Sequence, residues 1–266
     1  LLADLIGSAQ HHFGTQGDGN HFLYVGRIRS SGKIAVVTHH GSRSLGALLF
    51  KKGMRLARRH TSIVAPGAPE HNAWIKASSK EGELYWAALQ IVRTWTKHNH
   101  FVIHDLLASR LGVRVIDRMW NEHNFVFQKA DGLFYHGKGA TPSWPGFSPD
   151  DDGRTLIPLN MGAPILIAGH RDNKGALGFA PHGAGRNLGR EAFLRDNGGL
   201  KPPTHIDIRA YLGAHDPSEF PAAYKNADAV RAQIEAFDLA TIEDEIEPLG
   251  GVMAGAWSGA RDREGG

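Results

Sequence analysis

Apolar and polar positions alternate in two stretches near the start of the chain, "FLYVGRI" at 22–28 and "KIAVVT" at 33–38. The connecting "RSSG" supplies turn residues, so the two are predicted to pair as a hairpin. The period then changes. Between Pro69 and His98, the residues Leu84, Ala88, Ile91, Val92 and Trp95 recur at helical spacing, and Pro69 suits a first helical turn. A Ser78–Glu81 capping-box pattern followed by Gly82 offers a second start near residue 79, so this segment reads as one helix or two. A further helix is expected over 101–111, stopped by Gly112. Strand patterns follow at 113–118, 124–128, 132–136, 155–158 and 164–168, interrupted by the loop "TPSWPGFSPDDDG". Helices are expected at 185–195 and about 219–238, with "DNGGLKPP" between them. Strands and helices in this order, without a βαβ rhythm, indicate an α+β fold. No repeat and no long linker divides the chain, so one domain is expected over 1–255, with a disordered tail over 256–266.

Composition narrows this little: 41% hydrophobic and 21% charged residues in a 266-residue chain is an ordinary globular balance. The formal charge of +3 is compatible with a nucleic-acid partner without requiring one. The absence of cysteine excludes disulfides and thiolate metal sites within the chain. "LLADLIG" is too short to span a bilayer, so no membrane association and a cytoplasmic location are expected.

The 16 histidines do change the picture. Four stand in motifs at predicted element ends: His21 in "GDGNHF", His39 in "THHGSRSLG", His123 in "NEHNF" and His182 in "HGAGR". Imidazole serves as a metal ligand, base or nucleophile. His21 and His39 flank adjacent strands of the expected hairpin and are candidates to share a metal. In "FAPHGAGRNLGR" glycines surround His182 ahead of a helix-forming run, a pattern suited to phosphate binding by backbone N–H groups. A turn histidine beside a helix cap is the plainer reading of the same residues.

The motifs "GTQGDGNHF", "HHGSRSLG", "HNAW", "HNFV", "GKGATP", "IPLNMG", "HGAGR" and "FPAAYK" occur, in this order, between about residues 14 and 226. In this the chain resembles the RtcB-type RNA ligases. The resemblance implies an RtcB-like catalytic domain and an enzyme that uses GTP and Mn²⁺. Such an enzyme joins RNA 3′-phosphate or 2′,3′-cyclic phosphate ends to 5′-hydroxyl ends in RNA repair or tRNA splicing. It implies that His182 attacks the α-phosphate of GTP and carries GMP as a phosphoramidate. His21, His39 and His123 match metal ligands. Asn20, His21, Phe22, Leu23, Tyr24, His123, Asn124, Pro158, Leu159, Asn160, Met161, His182, Gly183, Ala184 and Gly185 fall at the nucleotide. Arg43, Lys138 and Arg186 are candidate RNA or phosphate contacts, although the arginines also suit element caps and Lys138 a solvated turn. An archease-like activating protein is an expected partner. Trp74 and Asn72 read as helix packing, and His40 and His136 as structural or as supports for the ligands.

The chain also departs from the family pattern. An aspartate and a cysteine that complete the family's two-metal site precede the part matched here. Tyr24 stands where the family has glutamate, Asn160 where it has serine, Gly137 where it has arginine, and Ile165 falls near another serine position. A C-terminal lysine has no counterpart in "PLGGVMAG". Weakened preference for GTP over ATP is therefore expected. Two other readings remain beside the ligase: a degenerate homologue that binds RNA ends or nucleotide without ligating, and a single-metal phosphoesterase.

Overall fold

The computed structural model describes residues 2–17, 19–210 and 213–254; the expected tail over 256–266 lies outside the described residues. The chain divides into two compact units, Leu1–Gly17 with His39–Arg114, and Asp18–Thr38 with Val115–Gly266. No linker composition marks this division.

The first unit is helical: α1 (Leu2–His12), α2 (Leu45–Val64) and α3 (Lys80–Leu111). α3 starts at the second of the two predicted positions. The Ser79 side chain accepts from the Gly82 N–H at 3.1 Å, and Gly112, at φ 64°, ends the helix in the left-handed conformation that glycine tolerates. It runs unbroken through the expected boundary near residue 100, whereas Pro69 opens only a 3₁₀ turn at Glu70–Asn72. α2 has no counterpart in the sequence expectations. Its buried stripe steps by four residues through Leu45, Leu49, Gly53, Ala57 and Thr61. A Cβ on Gly53 would stand 2.5 Å from the Tyr85 ring, so α2 approaches α3 at a point where only glycine fits. Asn99, fully buried, accepts from Gly14 N–H at 2.6 Å and donates to Thr15 O at 3.0 Å, tying the turn after α1 to α3.

The second unit carries the sheets. Its strands are β1 (Phe22–Ile28), β2 (Ile34–His39), β3 (Val126–Gln128), β4 (Phe134–His136), β5 (Ala140–Pro142), β6 (Arg154–Pro158), β7 (Ile165–His170), β8 (Phe179–Pro181), β9 (Asp207–Ala210) and β10 (Ala240–Met253). Helices α4 (Arg190–Asn197) and α5 (Ala227–Ala236) complete it. The main sheet has the order β2-β1-β10-β7-β6, with β9 also on β10; β3 pairs β4 and β5 pairs β8. The architecture is mixed α+β. Its pairs are antiparallel apart from β9 with β10. β7 is buried on both faces. Ile165 and Ile167 join Tyr24 and Ile246 on one side, while Leu166 and Ala168 join Ile157, Ala180, Ala240 and Ile234 of α5 on the other.

Several boundaries differ from expectation. The predicted hairpin forms as β1 and β2, with Ile28 N–H donating to Lys33 O at 2.9 Å across the turn. Residues 113–118 form no strand, because no neighbour pairs with them; Val113 and Ile116 are exposed. The 185–195 helix begins only at Arg190, and the one expected over 219–238 is confined to Ala227–Ala236. β10, the longest strand, carries Glu243, Asp244, Glu245 and Glu247 and gives no alternating apolar signal.

Ile234 is completely buried between α5 and the sheet. Ile234→Ala is expected to destabilise the chain by about 2–5 kcal/mol through lost burial and the cavity left behind. Urea denaturation of the variant against the parent measures this.

Candidate active site

Two short ladders present the candidate residues of the second unit. β5 pairs β8 with Ala140 opposite Pro181, and the His182 N–H donates to Gly139 O at 3.3 Å. This sets His182, just after β8, across from the Lys138–Gly139 turn. Asn124 holds that turn: its side-chain oxygen accepts from Gly139 N–H at 2.6 Å, and its own N–H donates to Ala140 O at 3.3 Å. Asn124 adopts φ 51°, a left-handed conformation that asparagine tolerates better than most residues. His123, one residue earlier, thereby stacks on His182, with ring centroids 4.7 Å apart at 29°.

The electrostatics of this pair follow from its burial. Desolvation, then the charges of His182, Lys138 and His21, push the His123 pKa from 6.5 down to about 4. His182 is lowered too, first by burial and then by Lys138. Both imidazoles are therefore neutral near pH 7. His182 Nδ1 is buried with no hydrogen-bond partner. A neutral imidazole nitrogen of this kind can attack phosphorus or bind a metal, but it cannot form an ion pair.

The glycines around His182 have backbone reasons of their own. A Cβ on Gly183 would stand 2.7 Å from Pro158 O, and Gly185 lies at φ 71°. The loop does not open directly into a helix, as the sequence suggested, because residues 185–187 run as an extended segment beside 223–225. Lys225 N–H donates to Gly185 O at 3.0 Å, Asn187 N–H donates to Ala223 O at 3.1 Å, and Arg186 bridges Tyr224. Beneath them lies a buried carboxylate. Glu219 pairs with Arg186 and Arg190 and accepts from the Tyr224 hydroxyl at 2.5 Å, while Arg186 Nη1 donates to Ser218 O at 2.6 Å. Arg186 is thus a brace of the histidine loop. The same segment borders a cavity of about 470 Å³ lined by Asn160, His205, Tyr224, Lys225 and Asp228 among others.

The remaining expected site residues are distributed as follows. His21 directly precedes β1, its carbonyl accepting from Ala254 N–H at 3.2 Å. Phe22 packs on the core cluster that contains Tyr24, and Leu23 pairs with Val252. Tyr24 is buried and its hydroxyl donates to Ile246 O at 2.8 Å, so its polar group is engaged inside the sheet. Pro158 ends β6, and Leu159 and Ala184 are buried in the core. Asn160 caps the next turn by accepting from Gly162 N–H at 2.9 Å, with Met161 half-buried beside it. A Cβ at Gly137 would meet the Phe179 ring at 2.6 Å, a steric reason for glycine at this position. Asn20 lies in the turn before His21. His39, the last residue of β2, already belongs to the helical unit, as does Arg43; Arg43 adopts φ 50° and its guanidinium occupies the space a Gly17 Cβ would need.

His123 is chemically suited to ligate a divalent transition metal, because its imidazole is neutral. Among the described residues, however, no three His, Asp or Glu side chains are gathered closely enough to hold an ion. The imidazoles do not by themselves complete a coordination sphere. Glu219, His205 and Lys225 were not singled out from sequence. Only the motif "FPAAYK" hinted at the segment that contains Tyr224 and Lys225.

These features define a mixed α+β protein built around a buried, neutral histidine pair at a backbone-pinned glycine loop. A family model described as "tRNA-splicing ligase RtcB" matches residues 3–254, and the chain belongs to the RtcB family. It is similar to the tRNA-splicing ligase RtcB of Aeropyrum pernix, 27% identical over 89% of this chain and 58% of that protein. The Archaeoglobus fulgidus protein of the same name is likewise 27% identical, over 89% of this chain and 58% of its own length. For the Pyrococcus abyssi protein the figures are 25%, 89% and 31%. The chain thus spans less than two thirds of these curated relatives. Among the described residues no helix is long and apolar enough to cross a membrane.

Two measurements test this site. Because His123 has a folded-state pKa below its unfolded value, the unfolded chain binds more protons between pH 6.5 and about 4. In metal-free solution its stabilising contribution is full above pH 6.5 and is lost as pH falls toward 4. NMR titration is expected to show His123 still mostly neutral at pH 5, with its midpoint near 4. Separately, Glu219→Ala leaves Arg186 without its carboxylate in a mostly buried setting, and is expected to cost about 3–5 kcal/mol in denaturant unfolding.

Proposed function

We propose that the chain is the histidine-bearing part of an RNA ligase that joins RNA 3′-phosphate or 2′,3′-cyclic phosphate ends to 5′-hydroxyl ends, using GTP and Mn²⁺. The observation that carries this reading is His182: a buried, neutral imidazole with an unpartnered Nδ1, on a glycine loop beside Lys138. Its ring nitrogen attacks the α-phosphorus of GTP. The N–P bond forms, the bond to the β-phosphate oxygen breaks, and pyrophosphate leaves. The RNA 3′-phosphate, freed by hydrolysis where it began as a cyclic phosphate, then attacks this phosphorus. The imidazole is released, and the 5′-hydroxyl displaces GMP to complete the phosphodiester.

Desolvation keeps His182 neutral without a base, and Lys138 offers its ammonium to phosphate charge. The turn of Asn160 and Met161 and the Gly183–Gly185 backbone border the nucleotide. The buried hydroxyl of Tyr24 and the missing terminal lysine weaken selection of guanine, since base discrimination depends on hydrogen-bonding groups in the site. His21, His39 and His123 would hold Mn²⁺, with further ligands from beyond this set. The ion would supply Lewis-acid neutralisation of the phosphates. Because no three metal-ligating side chains are gathered among the described residues, a second reading stands beside the ligase, a homologue that binds nucleotide or RNA ends without ligating.

Incubation with α-³²P-labelled GTP and Mn²⁺ separates the two. With the family's aspartate and cysteine ligands supplied, the ligase reading expects an acid-labile, alkali-stable label that His182→Ala abolishes with the fold intact; these 266 residues alone are expected to label poorly or not at all. A label that persists in His182→Ala, or maps to a lysine, overturns it. Nucleotide binding with no label supports the non-ligating homologue.

A further inference from the structure

α2 carries Lys51, Lys52, Arg55, Arg58 and Arg59 and has no Asp or Glu in its 20 residues. The whole chain has 30 Lys and Arg against 27 Asp and Glu, so without this one helix its acids would outnumber its bases. The rotation of the helix is fixed from behind. The stripe Leu45, Leu49, Gly53, Ala57 and Thr61 is buried, Gly53 abuts Tyr85, and Thr61 Oγ1 accepts from Trp74 N–H at 3.1 Å. Lys51, Arg55, Arg58 and Arg59 consequently face solvent. Arg58 pairs with exposed Glu70 at 2.9 Å. Among the described residues Lys51, Arg55 and Arg59 make no ion pair. They recur four residues apart, a stripe of about 12 Å along the helix. Like charges at this spacing destabilise a helix, so folding alone gives no reason for the arrangement.

We infer that this face of α2 docks the phosphate backbone of RNA. The identity of the polyanion rests on the ligase reading above; the charge face does not. An anionic bilayer fits less well, because a helix that lies in a membrane interface needs its apolar stripe free, and here that stripe is packed into the helical unit. Successive Lys and Arg along one line suit the repeated charges of a nucleic-acid strand.

The test uses the full chain and a fluorescein-labelled single-stranded RNA with a 3′-hydroxyl, followed by anisotropy over a series of KCl concentrations. The triple variant Lys51→Gln, Arg55→Gln, Arg59→Gln is compared with the parent and with a charge-keeping variant, Lys51→Arg, Arg55→Lys, Arg59→Lys. Circular dichroism checks that α2 persists. Expected for the neutralised triple is binding about 10-fold weaker or more at low salt. Its slope of log affinity against log salt is expected to fall by about 2, as loss of three single-strand phosphate contacts requires. The charge-keeping variant retains the parent slope. An unchanged slope in the neutralised triple, no RNA binding by the parent, or lost binding to phosphatidylserine vesicles with RNA binding kept would each overturn the inference. GTP labelling is measured in parallel. A parent that fails to label while the neutralised triple shows the lowered slope counts against ligation by this chain and leaves the docking face standing.

Discussion

The second unit depends on β10. One strand of 14 residues pairs with β1 through residues 246–253, with β7 through 240–246, and with β9 through 250–253. Its register breaks near Glu243 and near Leu249, and those irregularities let one strand serve different neighbours along its length. The two core clusters lie on opposite faces of the sheet it organises, and Ile246 and Ala240 belong one to each. The Tyr24 hydroxyl closes on Ile246 O, and buried Glu245 pairs with Arg29 and with Arg231 of α5. β1, β7 and α5 are thus all anchored to the same strand.

The site is held by smaller means. β5 and β8 are three residues each, yet they fix the stacked pair because Asn124 grips the Gly139 turn and the 185–187 segment lies against 223–225. Glycine here reflects what the backbone must pass: the Pro158 carbonyl at Gly183 and a left-handed bend at Gly185. The buried carboxylate of Glu219 has a comparable place. It pairs with Arg186 and Arg190 together, so the loop after His182 is braced from beneath by charge as well as by hydrogen bonds.

How much of this could be read from sequence depends on where each segment's burial comes from. β1, β2, β6 and β7 were legible because apolar side chains themselves carry their buried faces. α2 was not, because Gly53, Ala57 and Thr61 make three of the five residues of its buried stripe and carry little hydrophobic contrast. β10 was hidden by its acids, which reach Arg29 and Arg231 instead of water alone. "VRVIDR" has strand composition at 113–118 but no partner, and pairing is a long-range property that composition does not encode. At the site, His123, Asn124, His182 and Gly183 stood in recognisable motifs. Glu219 and His205 did not: Glu219 pairs with arginines distant in sequence, and His205 meets the other residues of its cavity only in the fold.

The position of β10 in chain order has a consequence for biosynthesis. β1, β6, β7 and β9 all leave the ribosome before the strand that unites them. Until residues 240–253 emerge, β1 and β7 each present an unpaired edge, and the two belong on opposite sides of a gap that nothing local can fill. Loop closure between residues 22 and 253 must precede its reward, which places the sheet among slow-folding, high-contact-order topologies. Until β10 is made the nascent chain therefore carries open strand edges at β1, β7 and β9, the condition under which strand-to-strand aggregation competes with folding and chaperones act.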